Sequence, residues 1–262
     1  MQHTINNDVY KETGDIWWDP DQVLNLLHTS VNPGRVGYFK RIIEQQLKLP
    51  AAKMTALEVG CGGGILCEEI ARMGFTTTGL DPSEPALQVA RAHSQKSNLK
   101  INYVHGTGEK LPFPDASFDV IFCCDVLEHV SDLGRVVSEI SRVLKPGGHL
   151  FYDTLNRTPI SNLVAIKIWQ DWKPFAFMPK NLHVWSMFIK PQELEKTFAN
   201  HSLEHKQNVG LAPNMNPLKM IYLLRQRVRG KITVRDLGRK FRLIESKDKT
   251  ILYAGHAVKT AN

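Results

Sequence analysis

The stretch Leu57-Glu58-Val59-Gly60-Cys61-Gly62-Gly63-Gly64 constrains this chain more than any other. It joins an apolar strand end to Ile65-Leu66-Cys67-Glu68-Glu69-Ile70-Ala71, which opens a helix. Glycines in such a turn let the backbone reverse tightly and lie against a ligand where a Cβ would clash. The helix behind it presents free N–H groups. Dinucleotide enzymes use a similar turn, so the turn alone fixes no reaction. Glu58 narrows the choice. A carboxylate just ahead of the first glycine repels a pyrophosphate but pairs with a ligand's ammonium. With the third-glycine spacing missing, a dehydrogenase is disfavoured.

Around this turn, strands and helices alternate. Apolar runs predict strands at Ala56–Val59, Thr76–Leu80, Ile101–His105, Phe118–Cys123 and His149–Asp153. Helical periodicity predicts helices at Ile65–Met73, Pro85–Ser97 and Leu133–Val143, with Pro146-Gly147-Gly148 as a turn. This is an α/β pattern, a doubly wound, Rossmann-like parallel sheet with helices on both faces. Ligands of such sheets bind at the carboxyl ends of the strands. The glycine turn, Asp81, Gly106-Thr107-Gly108-Glu109 and Cys124-Asp125 all fall at such ends. Asp81, closing the second strand, suits both hydroxyls of a ribose.

The flanks add three features. Ile16-Trp17-Trp18-Asp19-Pro20 and a helix from Asn32-Pro33 through Lys48 predict helical lid elements over residues 1–50. Ile160–Met178 carries Leu163, Trp169, Trp172, Phe175 and Phe177 with Lys167 and Lys173, an amphipathic insertion suited to a membrane–water interface or a lid. Arg225, Arg227, Arg229, Lys231, Arg235, Arg239, Lys240 and Arg242 crowd one late stretch and dominate a net charge of +7. Such a patch meets phosphates or anionic lipid, or is a solvated face. No RNA-binding motif accompanies it, so no specific nucleic acid is expected. Cys61, Cys67, Cys123 and Cys124 lack metal-ligand spacing and read as reduced thiols of a cytoplasmic protein. Residues 1–8, from Met1-Gln2-His3-Thr4 onward, read as neither signal nor transit peptide.

Glu58-x-Gly60-Cys61-Gly62-x-Gly64, Asp81, Leu111-Pro112-Phe113, Phe118-Asp119-Val120 and Leu144-Lys145-Pro146-Gly147-Gly148 together resemble the class I S-adenosylmethionine-dependent methyltransferases. Trp17-Trp18-Asp19, Asn32-Pro33-x-Arg35-x-Gly37-Tyr38, Leu127-Glu128-His129-Val130, Thr154-Leu155-Asn156-Arg157 and Phe188-Ile189-Lys190-Pro191 resemble the O-methyltransferases of ubiquinone biosynthesis, through about residue 195. The resemblance implies a methyltransferase domain over 51–262, with an insertion around 158–187 and a basic C-terminal extension. It implies S-adenosylmethionine held by Arg35, Glu58, Gly60, Cys61, Gly62, Asp81, Thr107, Gly108 and Cys124. Arg35 would take the carboxylate of the methionine moiety. Thr107 departs from the aspartate often found there, leaving the adenine contact to the backbone around Gly108.

The implied substrate is a lipid-tailed phenol or catechol, methylated on oxygen at the inner face of the membrane, with other quinone-biosynthesis proteins as potential partners. Another small phenol or lipid is the alternative substrate, and a nucleic-acid methyltransferase is suggested only by a pI of about 9.2. Asp125, Glu128 and His129, at i, i+3 and i+4, share a face if helical. They would ligate a divalent cation (Mg or Zn), as some relatives require, or deprotonate a phenol. The other reading is a capping Asp with a buried His. His129, Glu128 and His183 are the candidate catalytic groups.

Overall fold

A computed structural model describes residues 5–11, 16–172, 176 and 178–261; residues 1–4 and Lys173, Phe175 and Phe177 of the expected amphipathic insertion lie outside them. Asn32-Pro33 opens α1 (Asn32–Lys40), which continues in π-helical form over Arg41–Gln46. The alternating core follows as β1 (Thr55–Val59), α2 (Ile65–Arg72), β2 (Thr76–Asp81), α3 (Glu84–Lys96), β3 (Ile101–His105), β4 (Phe118–Cys124), α4 (Leu133–Val143) and β5 (Leu144–Leu155). The five strands pair in parallel in the order β3-β2-β1-β4-β5.

Side-chain alternation explains why β4 is apolar almost throughout. Val120 and Phe122 pack on one face with Phe39 of α1 and with Leu66 and Ile70 of α2. Ile121 and Cys123 pack on the other with Val136, Val137 and Ile140 of α4. A strand covered on both sides has no polar face to offer. α4 starts where Asp132 accepts the backbone N–H of Arg135 at 2.9 Å, and α3 starts where Ser83 caps Ala86.

Pro146-Gly147-Gly148, expected as a turn, lies within β5. Gly147 has φ of +73°, and the β4–β5 register shifts between Phe118 and Val120. The irregularity absorbs the turn residues without ending the strand.

Beyond β5, Thr158 and Ser161 form a reciprocal cap on α5 (Pro159–Ser161), which runs on as a π-helix over Asn162–Asp171. α6 (Pro191–Ala199), β6 (Leu203–Pro213), α7 (Pro217–Val228), α8 (Val234–Lys240), β7 (Leu243–Ser246) and β8 (Leu252–Lys259) complete the chain. β8 inserts antiparallel between β5 and β6, and β7 lies at the edge beyond β6. The late basic stretch, expected within a C-terminal extension, therefore sits between strands of the sheet, mostly on α7 and α8. The chain's last strand is interior to the sheet, with residues 252–257 all buried.

The N-terminal segment clasps the glycine turn. Trp18 Nε1 donates to the Gly63 carbonyl at 2.9 Å, and the Trp18 ring stacks on His93. Arg235 of α8 holds this segment from outside, donating its backbone N–H to Pro20 and its guanidinium to Trp18, both at main-chain carbonyls.

Candidate active site

The carboxyl ends of β1, β2 and β4 border a cavity of ≈ 230 Å³. Arg35, Glu58, Gly60, Cys61, Asp81, Thr107, Gly108 and Cys124 all line it. Gly60 has φ of +74°, and a Cβ on it would fall 2.3 Å from Val126. Gly62 serves the turn from behind. Its N–H donates to Asp81 Oδ2 at 2.8 Å, and a Cβ there would lie 2.2 Å from the Trp17 ring.

The cavity is rich in carboxylates. Asp81 Oδ1 accepts the N–H of Ser83 at 2.8 Å, so this side chain ties the glycine turn to the start of α3. Burial raises its pKa against those two hydrogen bonds. Glu58 is buried, and its Oε2 has no partner among the described residues. Desolvation pushes its pKa up to about 8, with Cys67 and Arg35 pulling the other way. Arg35 is buried too. Its Nε donates to Asn32 at 2.6 Å, and its Nη1 to Asp125 and, at 3.0 Å, to Asp153. The arginine expected to face a ligand carboxylate is thus already held by two protein carboxylates.

Asp81→Ala removes an acceptor from two buried backbone N–H groups and from the cavity wall. It is expected to weaken binding of S-adenosylmethionine by about 1–3 kcal/mol, the scale for unpairing buried polar groups. Calorimetry showing wild-type affinity would refute the expectation that Asp81 takes the ribose hydroxyls.

A second cavity, ≈ 310 Å³, adjoins the first and is almost wholly apolar. Its walls come from the N-terminal segment (Leu24, Leu26), the π-helix (Val164, Trp169) and α7 (Met220, Leu224). Tyr10, Leu27, Asp125 and His129 line both cavities and mark where they meet.

Asp125 to His129 form a turn, correcting the expected helix. Asp125 has φ of +54°, and the His129 N–H donates to the Val126 carbonyl at 2.8 Å. Without helical spacing the three side chains diverge. Asp125 goes to Arg35, Glu128 Oε2 accepts from Thr154 Oγ1 at 2.7 Å, and His129 faces the junction. Among the described residues, no three His, Cys, Asp or Glu side chains are grouped to hold a metal ion. The expected divalent-cation triad does not fit this donor geometry, and no step is derived through a metal.

His129 and His183 lie with ring centroids 5.1 Å apart, each with a buried Nδ1 lacking a partner among the described residues. Burial pushes His129 down to about 3 and His183 to about 4, so both imidazoles are neutral near pH 7. Gln170 on the π-helix grips the His183 backbone through both its N–H, at 2.9 Å, and its carbonyl, at 3.2 Å. The insertion therefore builds part of the site. Glu128 is buried, and desolvation raises its pKa with help from Asp125.

Tyr10 and Asp153 escaped the sequence reading. Tyr10 stacks on Trp17 and meets His129 edge-on at 5.7 Å. It sits in a polar segment without periodicity, so nothing local marked it. Asp153 had a signal: like Asp81, it is an acid near the carboxyl end of a parallel strand.

Comparison with known proteins places these features. The family described as "Methyltransferase domain" matches residues 57–152. The chain is 37% identical to the ubiquinone biosynthesis O-methyltransferase of Marinobacter nauticus, over 85% of this chain and 91% of that one. It is 36% identical to the protein of the same name from Thiobacillus denitrificans, over 82% and 88%. The fold is shared with a SAM-dependent methyltransferase structure from Methanosarcina mazei at TM-score 0.56 and 19% identity, covering 80% of this chain and 93% of that one. A SAM-dependent methyltransferase from Aquifex aeolicus aligns at TM-score 0.53 and 16% identity, covering 84% and 93%.

Proposed function

The chain belongs to the ubiquinone biosynthesis O-methyltransferase family, and from that membership we propose that it transfers the methyl group of S-adenosylmethionine to a phenol or catechol hydroxyl on a lipid-tailed quinone precursor. The observation that carries this reading is the pair of cavities, one lined by carboxylates and one apolar, meeting at His129.

The first cavity suits S-adenosylmethionine. Asp81, on the cavity wall, would take the ribose hydroxyls, and Gly60 would let the ligand approach closely. The unpartnered Glu58 Oε2 answers an ammonium. Thr107, Gly108 and Cys124 border the remaining wall, where the adenine would lie. Arg35 would share its charge between a ligand carboxylate and the Asp125–Asp153 pair. When bound, the cofactor supplies a methyl on a sulfonium, from which a neutral thioether leaves readily, so the protein's task is alignment and proton removal.

The apolar cavity takes the tail and leaves the hydroxyl head at the junction. There the neutral His129 accepts the phenolic proton at its unpartnered nitrogen. As negative charge develops on the phenol oxygen, the imidazole beside it becomes a stronger base. Tyr10 and Leu27 line the junction with it. His183 stands next to His129, and Asp125 favours a positive charge on it.

The test uses deuteriomethyl-labelled cofactor and two catechols with one head group, only one of them prenylated. Both should yield a labelled methyl ether by mass spectrometry, the prenylated one with the lower KM. No ether from either would overturn the reading. Equal KM values would remove the tail from the apolar cavity.

A further inference from the structure

α3 holds the N-terminal segment at both of its ends. At its start the Ser83 hydroxyl donates to the Tyr10 carbonyl at 2.6 Å. Near its other end His93 lies flat against Trp18, with ring centroids 3.4 Å apart and planes 3° from parallel. His28 approaches the same indole at a tilt, its centroid 5.1 Å away. Asn25 and Arg235 hold the Trp18 carbonyl, each at 3.0 Å. Those two bonds set the path of the backbone and leave the plane of the indole to its ring neighbours.

That plane bears on the glycine turn. Trp18 Nε1 donates to the Gly63 carbonyl, and such a bond weakens steeply as the N–H swings off line. Trp17 presses on the same turn: a Cβ on Gly62 or Gly63 would fall 2.2 or 2.3 Å from its ring. These two glycines make room for the N-terminal segment, whereas Gly60 borders the cofactor cavity. Trp17 lines that cavity as well. The turn is therefore sandwiched between the clasp and the cofactor site, and a shift of one reaches the other.

His93 is itself anchored. Its Nδ1 lies 2.5 Å from Glu68 Oε1. With Glu68 as the acceptor, that nitrogen carries the proton and the imidazole is held in one orientation. Glu68 Oε2 accepts from Arg72 Nη2 at 2.7 Å and from Ser97 Oγ at 3.0 Å, so both oxygens are engaged. Glu68 is fully buried on α2, at a place where packing alone would be met by an apolar side chain. His93 lines neither cavity. Its ties run to Glu68 on one side and to Trp18 on the other.

We propose that His93, held by Glu68, is a positioning residue for the S-adenosylmethionine site: it fixes the plane of Trp18, Trp18 fixes the Gly63 carbonyl, and the glycine turn is thereby kept in its binding conformation. The inference rests on the cofactor reading of the first cavity and extends it to side chains outside that cavity.

The test is the affinity of the full chain for S-adenosylmethionine, read by calorimetry in variants checked for folding by circular dichroism. H93L keeps much of the imidazole's bulk but removes the aromatic stack and the bond to Glu68. It should raise Kd by about tenfold or more, the scale for loosening a buried hydrogen bond. Its kcat at saturating cofactor should stay within about threefold of wild type, because bound cofactor holds the turn from its other side. H93Q keeps a planar amide and a donor to Glu68, and should return Kd to within about threefold of wild type. W18F keeps a ring but loses the donor to Gly63, so it tests the relay without touching His93; it should weaken binding by a similar factor. Because His93 acts through Trp18, H93L/W18F should bind no more weakly than the weaker single variant. Wild-type affinity in H93L or W18F overturns the proposal. So do losses that multiply in the double variant, H93Q binding as weakly as H93L, or a kcat that falls in step with affinity. Wild-type protein that binds no S-adenosylmethionine would instead overturn the cofactor reading, and this inference with it.

Discussion

Replacing His129 with Gln should lower kcat for phenol methylation by roughly 10²–10⁴-fold, the usual worth of a positioned general base. Gln keeps much of the volume and a hydrogen-bonding end but cannot take the proton. The expectation rests on three observations: His129 lines both cavities, its Nδ1 has no partner among the described residues, and burial keeps it neutral. The pH profile follows from the direction of that shift. An imidazole held down near 3 remains unprotonated throughout the neutral range, so the acid limb of kcat/KM should lie well below the ordinary histidine value of about 6.5. His183→Gln should cost less, because His183 borders only the apolar cavity. A His129→Gln rate within a few-fold of wild type would move the proton acceptor elsewhere, with His183 Nδ1, also buried and lacking a partner among the described residues, the nearest candidate. Single-turnover measurements at saturating cofactor separate this chemical loss from any change in binding.

The first half of the sheet was legible because its signals are local. Gly60, Gly62 and Gly64 take positive φ values that other residues rarely adopt, and the turn follows from them. β3 and α4 begin and end where their apolar spacing predicts. The same local reasoning failed from Asp125 to His129. The i, i+3, i+4 pattern there resembles a helix face, but Asp125 enters the left-handed region. Its N–H and carboxylate are both held by distant partners, Asp153 and Arg35. Those partners lie 28 and 90 positions away, beyond any sequence window. β8 was hidden for a related reason. Leu252-Tyr253-Ala254-Gly255-His256-Ala257 becomes a strand by pairing with β5, about a hundred residues earlier, and with β6. The arginines before it dominated the composition and made the whole tail look peripheral. The charge of residues 225–242 is local to the sequence, whereas the packing of α7 against the apolar cavity depends on the three-dimensional arrangement.

Binding of S-adenosylmethionine should tighten as pH rises from about 6 to 8 and release a proton as it does so. The group responsible is Glu58, whose pKa burial pushes up to about 8 in the ligand-free protein. Below that value the carboxyl is mostly neutral, and a neutral carboxyl gains little from a ligand ammonium. A bound cation lowers the pKa again, so the complex favours the carboxylate and the proton leaves. The sign follows from mass action: the free form binds more protons than the complex, so log Kd falls with pH by up to about one unit per pH unit for one proton released. The gain ends near pH 8, where Glu58 is ionised without the ligand and the ligand's own α-amino group, with a pKa of about 7.7–8.0, begins to lose its charge. Titration calorimetry at pH 7 in buffers of different ionisation enthalpy measures the proton count directly. Glu58→Gln should abolish the release, flatten the rise between pH 6 and 8, and weaken binding most near pH 8, where the wild-type carboxylate is fully available. Any pH dependence from Asp81, whose pKa burial also raises, would survive that substitution, which separates the two acids. Equal proton counts in wild type and Glu58→Gln would show that Glu58 does not face the ligand's charge.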